Sequence, residues 1–396
     1  MMKIRLLFSA LVFAAGVAQA HDNVPAPAQT QPVVIVGATV HPVSGPAIPD
    51  GRVRFEHGKL VAVGAGEVSL DGAHVVDAAG KHVYPGLIAA NSVLGLTEIS
   101  AVRATNDMSE VGGNAANVRA EVAVNADSEL IPVSRAGGVL LALSVPQAGR
   151  NTVIAGTSAL LQLEGWTWED MTIKAPVGLH VSWPGSFMPA GFPAEAADAM
   201  RKAVREKRDT LTRAFEQARD WRPAVVGAPD LRLAAMQPFA AGKAPVFLHA
   251  DDAQSIDDAL AFAASNNLKA VIVGGAEAWR VVDKLRAGKV PVILGGTDPV
   301  DAVYANAARL AAAGVRFDIA TSGDSFDTPN LRNLPHQAAS AVAYGLPKEE
   351  ALRAITLYPA QILGADARVG SLEAGKDATL FVSDGDPLDI RSTVER

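Results

Sequence analysis

Apolar positions along the chain fall first into short runs cut by glycine, then into an alternation of strand-length and helix-length segments. Residues 33–36, 52–56, 60–63 and 73–77 are apolar-rich pieces punctuated by Gly51, Gly58, Gly64 and Gly72. Runs of that length between turn residues predict a small β domain. Farther on, apolar runs occupy 244–249, 269–273, 290–294 and 315–320, with helical patterns at 253–264, 276–287 and 301–313 between them. The runs recur about every 21 to 25 residues, as expected of repeated β-α units that build a parallel sheet. Each run is apolar on both faces, so each strand is expected to be buried on both. Earlier strand candidates lie at 138–145 and 172–181. Residues 194–220 contain no Gly or Pro and are rich in Ala, Arg and Glu, which predicts a long, mostly solvated helix.

The composition narrows the function classes. Of 396 residues, 49% are hydrophobic and none is cysteine. This excludes a disordered chain, a disulfide scaffold, thiolate metal sites and cysteine nucleophiles. The net charge of −7 and the lack of a long basic cluster argue against a nucleic-acid partner. Lys3 and Arg5, the apolar run 6–17 and Ala18-Gln19-Ala20 read as a secretory signal peptide over 1–20, followed by a linker at 21–32. That run is too short to span a bilayer comfortably. An exported protein is expected, periplasmic in a Gram-negative host, with no membrane span after cleavage.

No G-x-G-x-x-G follows the first strand-helix unit, so a dinucleotide fold has no support. A closed (β/α)8 barrel fits the length better than an open sheet. Barrel active sites sit at the C-terminal ends of strands. The residues there are His249-Ala250-Asp251-Asp252, Gly274-Gly275, Gly295-Gly296-Thr297-Asp298 and Ser322-Gly323-Asp324. His180, in Gly178-Leu179-His180-Val181, ends an earlier candidate strand. Each has a plainer reading: a strand-end histidine is often a hydrogen-bonded pocket residue, and Asp324 is placed to cap a following helix. The Asn-rich stretch 103–128 is either a lid over the barrel mouth or a surface loop. His41, His57, His74 and His82 fall in the small β domain and read as structural. No G-x-S-x-G elbow supports Ser92 or Ser322 as a nucleophile.

Three segments resemble signatures of the amidohydrolase superfamily, with exported imidazolonepropionase-like members most similar. They are Val83-Tyr84-Pro85-Gly86-Leu87-Ile88, Ala354-Ile355-Thr356-Leu357-Tyr358-Pro359-Ala360-Gln361-Ile362-Leu363-Gly364 and Gly370-Ser371-Leu372-Glu373-Ala374-Gly375-Lys376-Asp377-Ala378-Thr379-Leu380. The resemblance implies an α/β fold: a TIM-like (β/α)8 barrel over 83–365, and a β-sandwich built from 33–82 and 366–396. It also implies further residues after Asp386-Pro387-Leu388, so the last part of the sandwich is expected to be short or truncated. The implied activity is metal-dependent hydrolysis of non-peptide C–N bonds in cyclic or linear amides of a small-molecule substrate. A homo-oligomer is left open.

Much of the implied ligand set is missing. Where the family has Asp-Ala-His-x-His, this chain has Ala89, Ala90, Asn91, Ser92 and Val93. Asparagine is a poor zinc ligand and valine cannot be one. Gly274 and Gly275 stand where the sixth strand delivers a histidine. By resemblance, His249 matches the strand-five ligand, His180 a strand-four ligand, and Asp324 the strand-eight ligand and general base. The scheme that keeps an enzyme has His180, His249 and Asp324 holding one divalent metal, zinc foremost, with water in the fourth position. Asn91 and Asp251 would then contact substrate. The alternative is a catalytically inactive barrel that binds a small molecule or a partner protein.

Overall fold

Short β-branched runs separated by glycine turns form the first sheet, as their pattern predicts. The computed structural model describes residues 23–66, 68–149, 151–185, 193–223, 229–295 and 301–395. The expected leader at 1–20, and Gly296, Thr297 and Asp298 of one strand end, lie outside the described residues. In the small domain β1 (Val33–Val40) pairs antiparallel with β2 (Ile48–Glu56), and β2 with β3 (Lys59–Gly64). β4 (His74–Asp77) and β5 (His82–Pro85) run parallel to β1. The C-terminal strand Leu380–Ser383 adds antiparallel to β5, so both ends of the chain share one sheet. Alternating side chains of these strands, among them Ile35, Val40, Val53, Val83 and Val382, form a core of their own.

The barrel strands follow. β6 (Leu87–Ser92), β7 (Val139–Ser144), β8 (Ile154–Thr157), β9 (Ala159–Gln162) and β10 (Thr172–Lys174) precede β11 (Leu179–Ser182). Then come β12 (Pro245–Ala250), β13 (Lys269–Gly274), β14 (Val292–Leu294) and β15 (Phe317–Ile319). Strands β11 to β15 form a parallel ladder in chain order, edged by antiparallel β8. A second sheet has the order β10-β9-β7-β6. Ile88, Leu141, Leu143 and Leu160 of the second sheet pack in one buried cluster with Phe247, Val271, Val273 and Ile293 of the first. A core shared in this way is the interior of a TIM-like barrel.

Among the described residues no backbone ladder joins β6 to β15. Side chains bridge the gap. The Asn91 amide donates from Nδ2 to the carbonyls of Thr321 (3.4 Å) and Ser322 (3.1 Å), and the Thr321 hydroxyl donates to the Asn91 carbonyl (3.1 Å). On the other side of β6, the Ser92 hydroxyl donates to the Leu143 carbonyl at 2.9 Å. Asn91 and Ser92 therefore serve the closure of the barrel.

The helix Ala194–Asp220 covers the predicted span and buries only Ala197, Val204, Leu211, Phe215 and Ala218. That stripe at helical spacing leaves its charged residues in water. The run 172–181 divides into β10 and β11, which join different sheets. β8 and β9 were not anticipated: Gly156 and Ser158 interrupt the apolar pattern there. The stretch 103–128 is anchored along β8, where Asn114 pairs with Ile154 and Arg119 with Thr157. No helix among the described residues is long and apolar enough to cross a membrane.

Candidate functional site

Strand period two decides what reaches the barrel interior. On β12 the side chains of Val246, Leu248 and Ala250 join the outer core, whereas Phe247 belongs to the interior and His249 shares its parity. On β11, Leu179 and Val181 pack outward, and the His180 ring stacks on Phe247 with centroids 4.7 Å apart and planes at 6°. Gly178 makes that stack feasible. A Cβ there would lie 2.0 Å from the Phe247 ring, so any other residue would push the phenyl out of place. Full burial of a phenylalanine side chain is worth about 1.5–3 kcal/mol, enough to fix the platform beneath His180.

His180 does not end its strand: it is the second residue of β11, in register with Phe247, and its Nδ1 lies 2.9 Å from Nε2 of His249, which stands nearer the end of β12. His180 is fully buried, and its Nε2 has no hydrogen-bond partner. His249 is half-buried and faces a cavity of about 130 Å³ lined also by Pro146, Gln147, Ala148, Ala155 and Ser182. Burial holds His180 well below 6.5, helped by the neighbouring ring, and takes His249 down to about 4. Both imidazoles are neutral at pH 7. The Gln147 segment covers the cavity: its N–H donates to the Met108 carbonyl (2.6 Å) and its side chain to the Gly323 carbonyl (3.1 Å).

The other expected site residues stand apart from this pair. Asp324 is exposed. Its Oδ1 accepts the N–H groups of Phe326 and Asp327, both at 2.8 Å, and its Oδ2 accepts the Ser322 hydroxyl at 3.0 Å. The carboxylate is thus committed to its own turn, before the helix Thr328–Asn333 whose N-cap is Asp327, so the expected helix cap is not made by Asp324. Asn91 is committed to barrel closure, with Oδ1 buried and without a partner. Asp251 occupies the space above the sixth strand's end. A Cβ on Gly274 would stand 2.3 Å from the Asp251 Oδ1, and Gly274 has φ of +95°. The missing histidine and the aspartate after His249 are therefore coupled. Val93 is wholly buried among apolar neighbours.

The divalent metal that the resemblance implies can be tested on this donor set. Among the described residues no three His, Asp or Glu side chains gather at metal-holding distance. The histidine pair offers two imidazoles already bonded to each other, where a catalytic zinc takes three protein ligands. The three-ligand scheme through Asp324 is corrected accordingly: the described residues do not fit the metal.

Two groups at the barrel end escaped the sequence analysis. Asp318 is buried in the middle of β15, with neither oxygen hydrogen-bonded. Burial raises its carboxyl well above 3.8, outweighing the nearby Ile319 N–H. A lone carboxylate inside an apolar strand-length run was its signal. Gln147 lies in a loop, and its placement over the histidines left no mark in the pattern.

Comparison with known proteins agrees with this architecture. A model of the amidohydrolase family matches residues 242–395. The chain is 32% identical over 156 residues to an imidazolonepropionase of Acidiphilium cryptum, covering 38% of this chain and 39% of that protein. An imidazolonepropionase of Maricaulis maris is 30% identical over 158 residues, 37% of this chain and 38% of that protein. The match thus spans about two fifths of the length of these relatives. The crystal structure of an amidohydrolase from Thermotoga maritima superposes with a TM-score of 0.81 at 26% identity, over 92% of this chain and 97% of that one. Sequence signatures, barrel and β domain agree on one likeness: the chain is similar throughout to the amidohydrolase superfamily, whose family model matches residues 242–395.

Proposed function

We propose that this chain hydrolyses amide C–N bonds of a small molecule at the pocket formed by His180 and His249. The observation that carries the reading is the 2.9 Å contact between these two rings on adjacent parallel strands, with His249 toward the C-terminal strand ends, where such folds place their chemistry, and His180 one layer beneath it. The family match over 242–395 and the similarity to imidazolonepropionases support it. The metal does not fit the residues, so no step is routed through it. A neutral imidazole is both donor and acceptor, and the pair gives the pocket one ring nitrogen in a fixed direction. A positioned donor of this kind stabilises charge developing on a carbonyl oxygen. The basic start and apolar run within residues 1–20 support export of the enzyme.

A second reading, a barrel that binds a small molecule without turnover, is favoured by Asn91, Val93 and Gly274 at three expected ligand positions. One experiment separates the two. The purified chain is assayed on cyclic and linear small amides, with added zinc and with chelator, beside a His249→Asn variant and an elemental analysis of bound metal. Turnover that is lost in His249→Asn supports the hydrolase. No turnover under any condition by a folded protein leaves the binding reading standing.

A further inference from the structure

The unpartnered nitrogen of His180 fixes more than the position of the pair. Two neutral imidazoles joined through one hydrogen bond have two tautomeric arrangements. In the first, His249 donates from Nε2, leaving its pocket-side Nδ1 as a bare lone pair. His180 must then carry its proton on Nε2, the buried atom with no partner. In the second, His180 donates from Nδ1 to the Nε2 of His249. The buried Nε2 of His180 is then only a lone pair, and the proton of His249 sits on Nδ1. A buried N–H without an acceptor is rarer and more costly than an under-used acceptor. The His180 ring lies face to face with the Phe247 ring, and no acceptor stands within hydrogen-bond distance of its Nε2. The second arrangement is therefore the stable one.

We infer that His249 presents Nδ1–H to the pocket as a hydrogen-bond donor, and that the pocket takes the neutral carbonyl oxygen of a small amide in preference to a carboxylate. This rests on reading the pocket as the substrate site. The preference follows from what lines the cavity. Beside the two histidines stand Pro146, Gln147, Ala148, Ala155 and Ser182, and among the described residues no Lys or Arg lines the cavity. A carboxylate there would be a buried charge without a counter-ion, which costs far more than an amide oxygen that receives one good hydrogen bond. The size agrees. About 130 Å³ holds roughly four waters' share of liquid volume, room for an amide head group while the rest of the ligand lies outside.

The test is ¹⁵N–¹H correlation of the histidine rings in the full-length protein at neutral pH, with acetamide and acetate as probes. Single His180→Gln and His249→Gln variants assign the signals. Should a variant not fold, the acetamide response of the wild-type rings still identifies the pocket histidine. The expected result is Nδ1 protonation of both His180 and His249, with the His249 signal moving on addition of acetamide and staying in place with the same concentration of acetate. A proton on Nε2 of His249 overturns the inference, as does an unmoved His249 signal or an equal response to acetate. None of these readings needs turnover. A chain that binds acetamide but hydrolyses no amide keeps this inference and loses the hydrolase, whereas active enzyme with the opposite tautomer does the reverse.

Discussion

A Cβ on residue 323 would stand 2.2 Å from Nδ2 of Asn91, and residue 323 is a glycine with φ of +79°. The side chain that closes the barrel therefore lies directly on the backbone of the turn it is bonded to. Gly323→Ala is expected to destabilise the fold by about 2–4 kcal/mol, from the strained φ together with displacement of the Asn91 amide. Asn91→Ala should cost about 1–3 kcal/mol, because the Thr321 and Ser322 carbonyls lose their donor. Urea unfolding of both singles and the double checks the relationship. The double should be less unstable than the sum, since the amide displaced in one variant is already gone in the other. Strict additivity would mean that the two residues do not act on each other.

Gly274 and Asp251 form a second such couple, at the end of β13. Gly274→Ala carries both the cost of φ at +95° and the collision with the Asp251 carboxylate. Removing the carboxylate with Asp251→Ala relieves the collision alone. The cost of Gly274→Ala should fall by about 1 kcal/mol or more in the Asp251→Ala background, yet remain above zero. Thermal unfolding of the four proteins measures it. An identical cost in both backgrounds would contradict the placement of the Asp251 side chain.

These two couples explain what the sequence could and could not disclose. The βα repeat from β12 to β15 was legible because each strand is buried on both faces and reads as an unbroken apolar run. The helix Ala194–Asp220 was legible because an amphipathic helix repeats its own pattern. His180 and His249 both read as strand-end residues; the structure brings them together, but sets His180 two residues back from the end of β11. The closure by Asn91 and the intrusion of Asp251 over Gly274 depend on contacts between different segments of the chain. Periodicity carries no information about such contacts. Gln147 illustrates the same limit, since a loop position has no pattern to read until its hydrogen bonds to Met108 and Gly323 are known.

Asp318 yields a prediction with a definite pH sign. Burial raises its folded-state carboxyl well above 3.8, so the folded protein keeps a proton that the unfolded chain releases. Its contribution is most favourable below pH 3.8 and declines as pH rises toward the folded value. Asp318→Asn keeps the shape and abolishes the titration. The variant should gain on the wild type with rising pH above 3.8, by up to about 1.4 kcal/mol per pH unit until the folded value is reached. Melting temperatures of the two proteins from pH 4 to pH 8 give the difference curve. A flat curve would mean that Asp318 is ionised in the folded barrel.

The histidine pair predicts the opposite slope. Both rings lie below 6.5 in the folded state, His249 at about 4 and His180 well below its ordinary value, because each would have to be charged away from water, His180 also beside the other ring. The unfolded chain therefore takes up protons near pH 6.5 that the folded chain refuses. The contribution of the pair is fully present above pH 6.5 and is lost as pH falls toward 4, at up to about 1.4 kcal/mol per pH unit for each ring. A His180→Gln/His249→Gln double variant cannot titrate at these positions. It is expected to be less stable than wild type at pH 7.5, since the stack on Phe247 and the ring-to-ring bond are gone, and to close the gap as the solution is acidified to pH 4.5. Denaturant unfolding across that window checks it, and the remaining ionisable groups largely cancel in the difference. A gap that stays constant with pH would show that the rings keep ordinary pKa values.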